Sequence, residues 1–179
     1  MKMIKGLPNR SEVLVEETWN LKDLFATEEA FTAALNELEQ EVTTFEAKFK
    51  GRITTPSTIN EALDGFASIY EKIVPVGTYT SLSLSTDQTN TEAQMRASKF
   101  GSISAKINSK LSFLNSELVE LPSDVIQEAM GLYPSYENYL HKLLIKKQYQ
   151  LHPEVEKTLA AYSTTFNAPY KLYDTTKMI

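Results

Sequence analysis

The stretch "FTAALNELEQEVTTFEAKF", Phe31 to Phe49, places apolar side chains at alternating spacings of four and three residues. An α-helix turns once in about 3.6 residues, so this spacing collects them on one face. Glu28 and Glu29 precede the stretch, where a helix N-terminus favours negative charge, and Gly51 follows it, where helices often end. The pattern therefore predicts an amphipathic helix. Its stripe consists of Phe31, Leu35, Leu38, Val42, Phe45 and Phe49.

A second helix is predicted just downstream. Thr58 and Glu61 have the spacing of a capping box, in which each side chain bonds a free backbone N–H at the helix start. Pro75 and Gly77 interrupt the pattern, and they predict a kink or a break followed by more helix. The apolar positions of this segment are Ile59, Leu63, Phe66, Tyr70, Ile73, Tyr79, Leu82 and Leu84.

The polar stretch Ser85 to Gln94 predicts a loop, and Thr91 with Gln94 offers a capping box for a long third helix. Shorter helices are predicted from Pro122 to Met130, after Pro134 and near Pro153. The third helix has its apolar stripe at Met95, Phe100, Ile103, Ile107, Leu111, Leu114 and Leu118.

These elements predict one all-α unit over residues 1–179, with 1–17 as an extended lead-in and 18–179 as helical hairpins. Short connections force neighbouring helices to reverse direction, so antiparallel packing in a bundle is expected. A coiled coil through the first stripe is the alternative, but fewer than three heptads are more typical of a core-facing helix. The C-terminal segment has no closing cap before Ile179, which predicts a part of a larger protein.

Composition excludes several classes of function. The chain has 179 residues, 42% of them hydrophobic, a net charge of -5 and a pI near 5.2, which disfavours nucleic acid as a partner. It contains no cysteine, which fits a reducing compartment and predicts a cytoplasmic protein. Neither a signal peptide nor an apolar run of membrane-spanning length is present in the sequence, so no membrane association is expected.

No complete set of reacting groups is evident. His141 and His152 are the two histidines, they are eleven residues apart, and the zinc-peptidase pattern His-Glu-x-x-His is absent from the sequence. Glu37, Glu39 and Glu41 lie on the polar side of the first helix, where a solvated carboxylate has no reason to act as an acid or base. We therefore predict no catalytic, cofactor-binding or metal-binding residue in this chain.

Aromatic residues are the remaining signal. Trp19 is the single tryptophan, in "TWNLKDLF", Thr18 to Phe25, and we expect it to be buried as an anchor of the N-terminal segment. Tyrosines concentrate in the last third, where they either close the edge of the core or line a peptide groove. These are Tyr133, Tyr136, Tyr139, Tyr149, Tyr162, Tyr170 and Tyr173.

Several segments in order resemble the oligoendopeptidase F family. "TWNLKDLF" followed by "ATEEAFTAALNELE" is similar to the start of its members. "YEKIVPVGTYTSLSLSTDQTNTEAQ" resembles their second hairpin and its turn, while "YENYLHKLLIKKQYQLHPEVEKTLAAYS" and "KLYDTTKM" resemble the segments that follow. The resemblance extends from about Val13 to the end of the chain.

The resemblance implies the N-terminal helical region of a zinc metallopeptidase that cleaves short peptides. In this family the zinc ligands and the general-base glutamate lie in a downstream catalytic domain, so His141 and His152 match no ligand. The implied role is to wall the channel that admits short peptides, with the catalytic domain of the same protein as partner and zinc as its cofactor. The alternative is a stand-alone helical binding module without enzyme activity.

Overall fold

The computed structural model describes residues 12–149, 155, 158–159 and 161–177. This part of the chain contains six α-helices and short 3₁₀ turns, and no strand occurs within it. The predicted all-α fold is confirmed. The helices are α1 (Glu28–Phe49), α2 (Pro56–Thr86), α3 (Thr91–Glu120), α4 (Ser123–Leu132), α5 (Glu137–Gln148) and α6 (Ser163–Lys177), with 3₁₀ turns at Val15–Glu17, Leu21–Asp23 and Pro134–Tyr136.

The helices α1, α2 and α3 each contact the other two and enclose the core. The six stripe residues predicted for α1 are its buried residues, and none is more than 5% exposed. Because this stripe faces two helices of the same chain, the bundle interpretation is confirmed and the coiled coil is wrong. Burial of so many large apolar side chains is the main stabilising contribution to this part of the fold.

The turn between α1 and α2 differs from the prediction. Gly51 ends α1 with φ +72°, a conformation that glycine adopts without steric cost. The α2 N-cap is Thr55 rather than Thr58, and Pro56 occupies the first helical position. Thr58 supplies the other half of the capping box, since its hydroxyl accepts the Thr55 N–H at 2.9 Å. The box thus begins at Thr55, one helical turn earlier than expected.

Helix α2 runs through Pro75 without a break. Proline removes one backbone hydrogen bond, and packing in the next turn of the helix offsets this loss. Val76 is buried beside it, and the buried Thr80 hydroxyl donates to the Val76 carbonyl at 2.9 Å. Gly77 lets the Phe100 ring approach so closely that an added Cβ would lie 3.3 Å from its Cζ. The sequence suggested an interruption at Pro75 and Gly77, but tertiary contacts keep this segment as one helix.

The α2–α3 loop is shorter than predicted and covers only residues 87–90. Asn90 caps α3, because its side chain accepts the Ala93 N–H at 3.0 Å, so the expected Thr91 cap is wrong. Most of the predicted α3 stripe is buried, but Met95 is 61% exposed. It lies near the start of α3, where Ala93 is buried and Arg96 contacts α1 and α2, so the Met95 side chain points away from these contacts.

Arg96 joins the N-terminal end of the bundle. Its guanidinium donates twice to one Glu28 carboxylate oxygen, at 2.6 and 3.0 Å, and lies 4.9 Å from the centre of the Tyr79 ring. Phe25 contacts the same cluster, with ring centroids 5.5 Å from Phe31 and 5.3 Å from Tyr79. These contacts attach the segment before α1 to α1 and α2, and Arg96 joins α3 to the same cluster.

The later helices extend the bundle on one side. Helix α4 packs on α2 and α5, and α5 also contacts α3. Leu140 and Leu143 of α5 and Ile126 of α4 are buried in the same core cluster as the α1 stripe. Helix α6 is different, since each of its side chains that the structure describes is exposed. Among the described residues, no helix is long and apolar enough to span a membrane.

Candidate functional site

An open groove of about 610 Å³ lies between α2 and the start of α5. The residues that α2 contributes recur every three or four positions, so they share one face of that helix. Tyr70 and Val74 are half exposed there, although Leu63 beneath them is buried. We call this the aromatic groove. It is lined by Leu63, Phe66, Ala67, Tyr70, Glu71, Val74, Pro75, Tyr136 and Tyr139.

The shape of the groove is held by ring stacking and one polar contact. Phe66 and Tyr70 are stacked with ring centroids 6.0 Å apart. The Tyr136 hydroxyl donates to an Asp64 carboxylate oxygen at 2.6 Å, which joins the turn before α5 to α2. Desolvation, followed by the interaction with Asp64, raises the pKa of Tyr136 to about 12. Burial against the groove also raises the pKa of Tyr139.

The raised pKa of Tyr136 predicts a loss of stability at high pH. The folded pKa, about 12, exceeds the ordinary value of 10.0, so the contribution is complete below pH 10 and is lost as the pH rises toward 12. Tyr136→Phe removes this ionisation and the hydrogen bond, and it should cost about 1 kcal/mol at neutral pH. Urea unfolding at a series of pH values measures both effects, and the difference from the native chain should shrink above pH 10.

The control for this experiment is Tyr149→Phe, which removes the hydroxyl of a ring that is 77% exposed. This variant keeps Tyr136, so its stability should still fall between pH 10 and 12. A native chain and a Tyr136→Phe variant that lose stability equally between pH 10 and 12 would contradict the raised pKa.

A second cleft, of about 550 Å³, lies beside the N-terminal segment and is lined in part by Trp19, Leu21 and Leu82. Trp19 is 81% exposed, so the expectation that it is buried is wrong. The backbone here is held by local bonds: Asn20 accepts from the Lys22 N–H at 3.3 Å and donates to Asp23 at 2.8 Å. Phe25 makes the core contact instead, and Trp19 is left on the surface.

The charged residues considered from the sequence lie apart from the aromatic groove. Lys72 of α2 pairs with Glu41 and, at 3.6 Å, with Glu37, while Lys106 of α3 lies 3.4 Å from Glu39. The hydrogen bond from Lys72 to Glu41 raises the pKa of the lysine. These carboxylates therefore form ion pairs between helices, and such exposed pairs contribute little stability.

The histidines do not form a metal site in the part of the chain that the structure describes. His141 is exposed on α5, and His152 lies outside the described residues. Within the described ranges, no group of three or more histidine, aspartate or glutamate side chains is arranged to hold a metal ion. These residues do not fit a zinc centre. The prediction that the chain contributes no catalytic, metal or cofactor ligand stays a prediction.

The chemistry of the aromatic groove suits the binding of apolar groups. Its lining contains one charged residue, Glu71, and otherwise apolar and aromatic surface, the combination that binds apolar side chains of a ligand. The tyrosine clustering in the sequence signalled part of it, namely Tyr136 and Tyr139. The sequence did not indicate the α2 side, because Phe66 and Tyr70 belong there to one apolar stripe of the second helix. Which part of that stripe is covered depends on the neighbouring helices.

Comparison with known proteins points to one group of peptidases. The family model described as Oligopeptidase F matches residues 117–178. The Oligoendopeptidase F homolog of Lactococcus lactis subsp. lactis (strain IL1403) is 24% identical over 176 residues, which cover 93% of this chain and 28% of the relative. Oligopeptidase PepF of Bacillus subtilis (strain 168) is 25% identical over 177 residues, 93% of this chain and 26% of the relative.

A third relative, Group B oligopeptidase PepB of Streptococcus agalactiae serotype III (strain NEM316), is 25% identical over 170 residues, with 93% of this chain and 28% of the relative covered. The chain thus spans little more than a quarter of the length of these relatives and matches their N-terminal part. No solved structure matches it. The resemblance inferred from the sequence is confirmed.

Proposed function

Since this chain is related to the N-terminal part of oligoendopeptidase F, we propose that it forms the non-catalytic helical region of a zinc-dependent peptidase that cleaves short peptides. Residues 1–179 would form one helical domain, and the reacting groups and the zinc would belong to a catalytic domain of the same protein. The cysteine-free sequence supports a cytoplasmic location for such an enzyme.

The observation that carries the proposal is the aromatic groove, together with the similarity to peptidases over 93% of the chain. Tyr70, Val74 and Tyr139 expose apolar surface that is preformed on two helices. Binding of a peptide would therefore cost little conformational entropy of the protein. In the proposed enzyme this surface belongs to the wall of the channel. It would hold apolar side chains of the peptide while the catalytic domain cleaves the backbone.

The direct test is to read the native coding sequence past Ile179 and assay the complete product on a fluorogenic peptide of about eight residues, with and without a chelator. Chelator-sensitive cleavage and a downstream His-Glu-x-x-His support the proposal. A coding sequence that stops after Ile179, with no cleavage and no bound zinc, contradicts it. That outcome would favour the alternative, a helical binding module that uses the same groove.

The groove itself is tested by Tyr70→Ala in the complete peptidase. Removing an exposed ring that binds substrate equally in ground and transition states should raise KM for apolar peptides about tenfold and leave kcat within about twofold. Met95→Ala is the matched control, because Met95 is 61% exposed on α3 and lies away from the groove. Equal KM values for the native enzyme and the Tyr70→Ala variant would exclude the groove from substrate binding.

A further inference from the structure

The C-terminal part of the chain carries an apolar stripe with nearly the same spacing as the α1 stripe. Tyr162, Phe166 and Tyr170 follow one another at intervals of four, and Val155 and Leu159 continue the series toward the N-terminus. We call these five residues the C-terminal stripe. In α1 the corresponding residues are at most 5% exposed, whereas the residues of the C-terminal stripe are between 44% and 70% exposed. Similar patterns thus have opposite environments.

The last three residues of the stripe lie on a single face. A helix advances about 100° per residue, so Tyr162, Phe166 and Tyr170 fall within an arc of about 80°. The Tyr162 carbonyl accepts the Phe166 N–H at 3.0 Å, and the two rings lie with centroids 6.4 Å apart. This contact within the stripe confirms that the rings point the same way. Asn167 is exposed as well, but it lies outside this arc.

A one-sided aromatic stripe on a helix normally packs against another element, because leaving it in water forfeits the burial that stabilises an amphipathic helix. Among the described residues, α1 to α5 do not bury it, since each of its five side chains is at least 44% exposed. Large exposed apolar surfaces of this kind mark interaction sites. The stripe is therefore an interface whose other half is absent from the described part of the chain.

We propose that the C-terminal stripe is the docking surface for the catalytic domain of the same polypeptide. The inference rests on the proposed function. This chain matches the N-terminal part of its relatives and covers only 26–28% of their length. Most of the polypeptide in the relatives therefore lies beyond the matched part. A catalytic domain that follows this chain would be tethered next to α6, and the tether would give a high effective concentration for packing on it. Tyrosine and phenylalanine are enriched in such interfaces.

The test is amide hydrogen exchange, measured on the 179-residue chain and on the complete polypeptide. We expect the α6 amides to exchange at least about tenfold more slowly in the complete polypeptide, with the α1 amides unchanged as the internal reference. Equal α6 exchange in both proteins overturns the inference. A 179-residue chain that light scattering shows to be a dimer with protected α6 also overturns it, because a second copy would then cover the stripe.

The variant Phe166→Ala tests whether the C-terminal stripe is what slows the exchange of the α6 amides. In the complete polypeptide this variant should raise the α6 exchange rate at least tenfold, toward the rate of the 179-residue chain. In the 179-residue chain it should leave the melting temperature unchanged. Asn167→Ala is the matched control and should alter neither. Protection of α1 reports whether each variant is folded. If Phe166→Ala leaves α6 protected, other residues make the contact and the inference is wrong.

This readout is independent of catalysis. A complete polypeptide that protects α6 but cleaves no peptide supports the docking surface and refutes the peptidase. A complete polypeptide that cleaves peptides but leaves α6 unprotected supports the peptidase and refutes the docking surface. A coding sequence that ends at Ile179 refutes both.

Discussion

Phe31→Ala should lower the free energy of unfolding by about 3–5 kcal/mol, the range for removing a fully buried phenylalanine. Phe31 is 0% exposed, its ring contacts those of Phe25 and Tyr79, and the Arg96 guanidinium lies 5.8 Å from its centre. The variant therefore opens a cavity where three helices and the N-terminal segment meet. Urea unfolding followed by circular dichroism measures the change.

The matched control is the same substitution at Phe166, which is 63% exposed on α6. In the 179-residue chain, Phe166→Ala should stay within about 0.5 kcal/mol of the native value. A loss at Phe31 no larger than that at Phe166 would mean that the N-terminal end of the bundle is not packed as described.

Gly65→Leu should destabilise the fold by about 1–3 kcal/mol through overpacking. Helix α2 crosses α1 closely at this point: a Cβ added at Gly65 would lie 3.0 Å from Phe45 Cε2 and 3.6 Å from Phe49 Cε2. Phe45 and Phe49 are buried and pack against each other with ring centroids 4.9 Å apart, so neither can move away freely. The added side chain therefore forces the two helices apart. Thermal and urea unfolding together measure the loss.

Gly101→Leu is the control, and it should raise the free energy of unfolding instead of lowering it. Gly101 lies inside α3, is exposed, and has nothing within 4 Å of an added Cβ. Leucine is a much better helix former than glycine, so this variant should gain about 0.5–1 kcal/mol. If both leucine variants stabilise the chain, the close approach of α2 to α1 at Gly65 is refuted.

The two exposed aromatic surfaces differ in construction, which is why we assign them different partners. The aromatic groove is concave, is built from two helices and has the buried Leu63 as its floor. Such a shape binds a small extended ligand. The five residues of the C-terminal stripe, by contrast, are all at least 44% exposed, and Phe166 and Tyr170 among them lie on α6. A larger folded surface is needed to bury such residues.

Local patterns in the sequence were sufficient for most of the fold. The α1 stripe was predicted residue by residue, since apolar periodicity and the helical repeat are both local properties. Errors occurred at helix ends, where neighbouring hydroxyl residues compete as caps: Thr55 and Asn90 were chosen over Thr58 and Thr91. Helix α2 passed through Pro75 because packing by distant residues such as Phe100 supports it.

The candidate site was less predictable. The sequence indicated a tyrosine-rich region and the resemblance to a peptidase family. It placed Tyr70 among the apolar positions of the second helix, and Trp19 was expected to be a buried anchor. Both side chains are more than half exposed. A large aromatic residue is compatible with either environment, and its type alone cannot decide between them.

The sequence by itself determined the helical class, the position of the α1 stripe and the relation to oligoendopeptidase F, because each is encoded in spacings along the chain. Only the tertiary structure decided which apolar surfaces are covered. The stripes of α1 and of the C-terminal part have nearly the same spacing, yet one is buried and the other is exposed. Burial depends on what packs against a surface, and residues distant in sequence supply that partner.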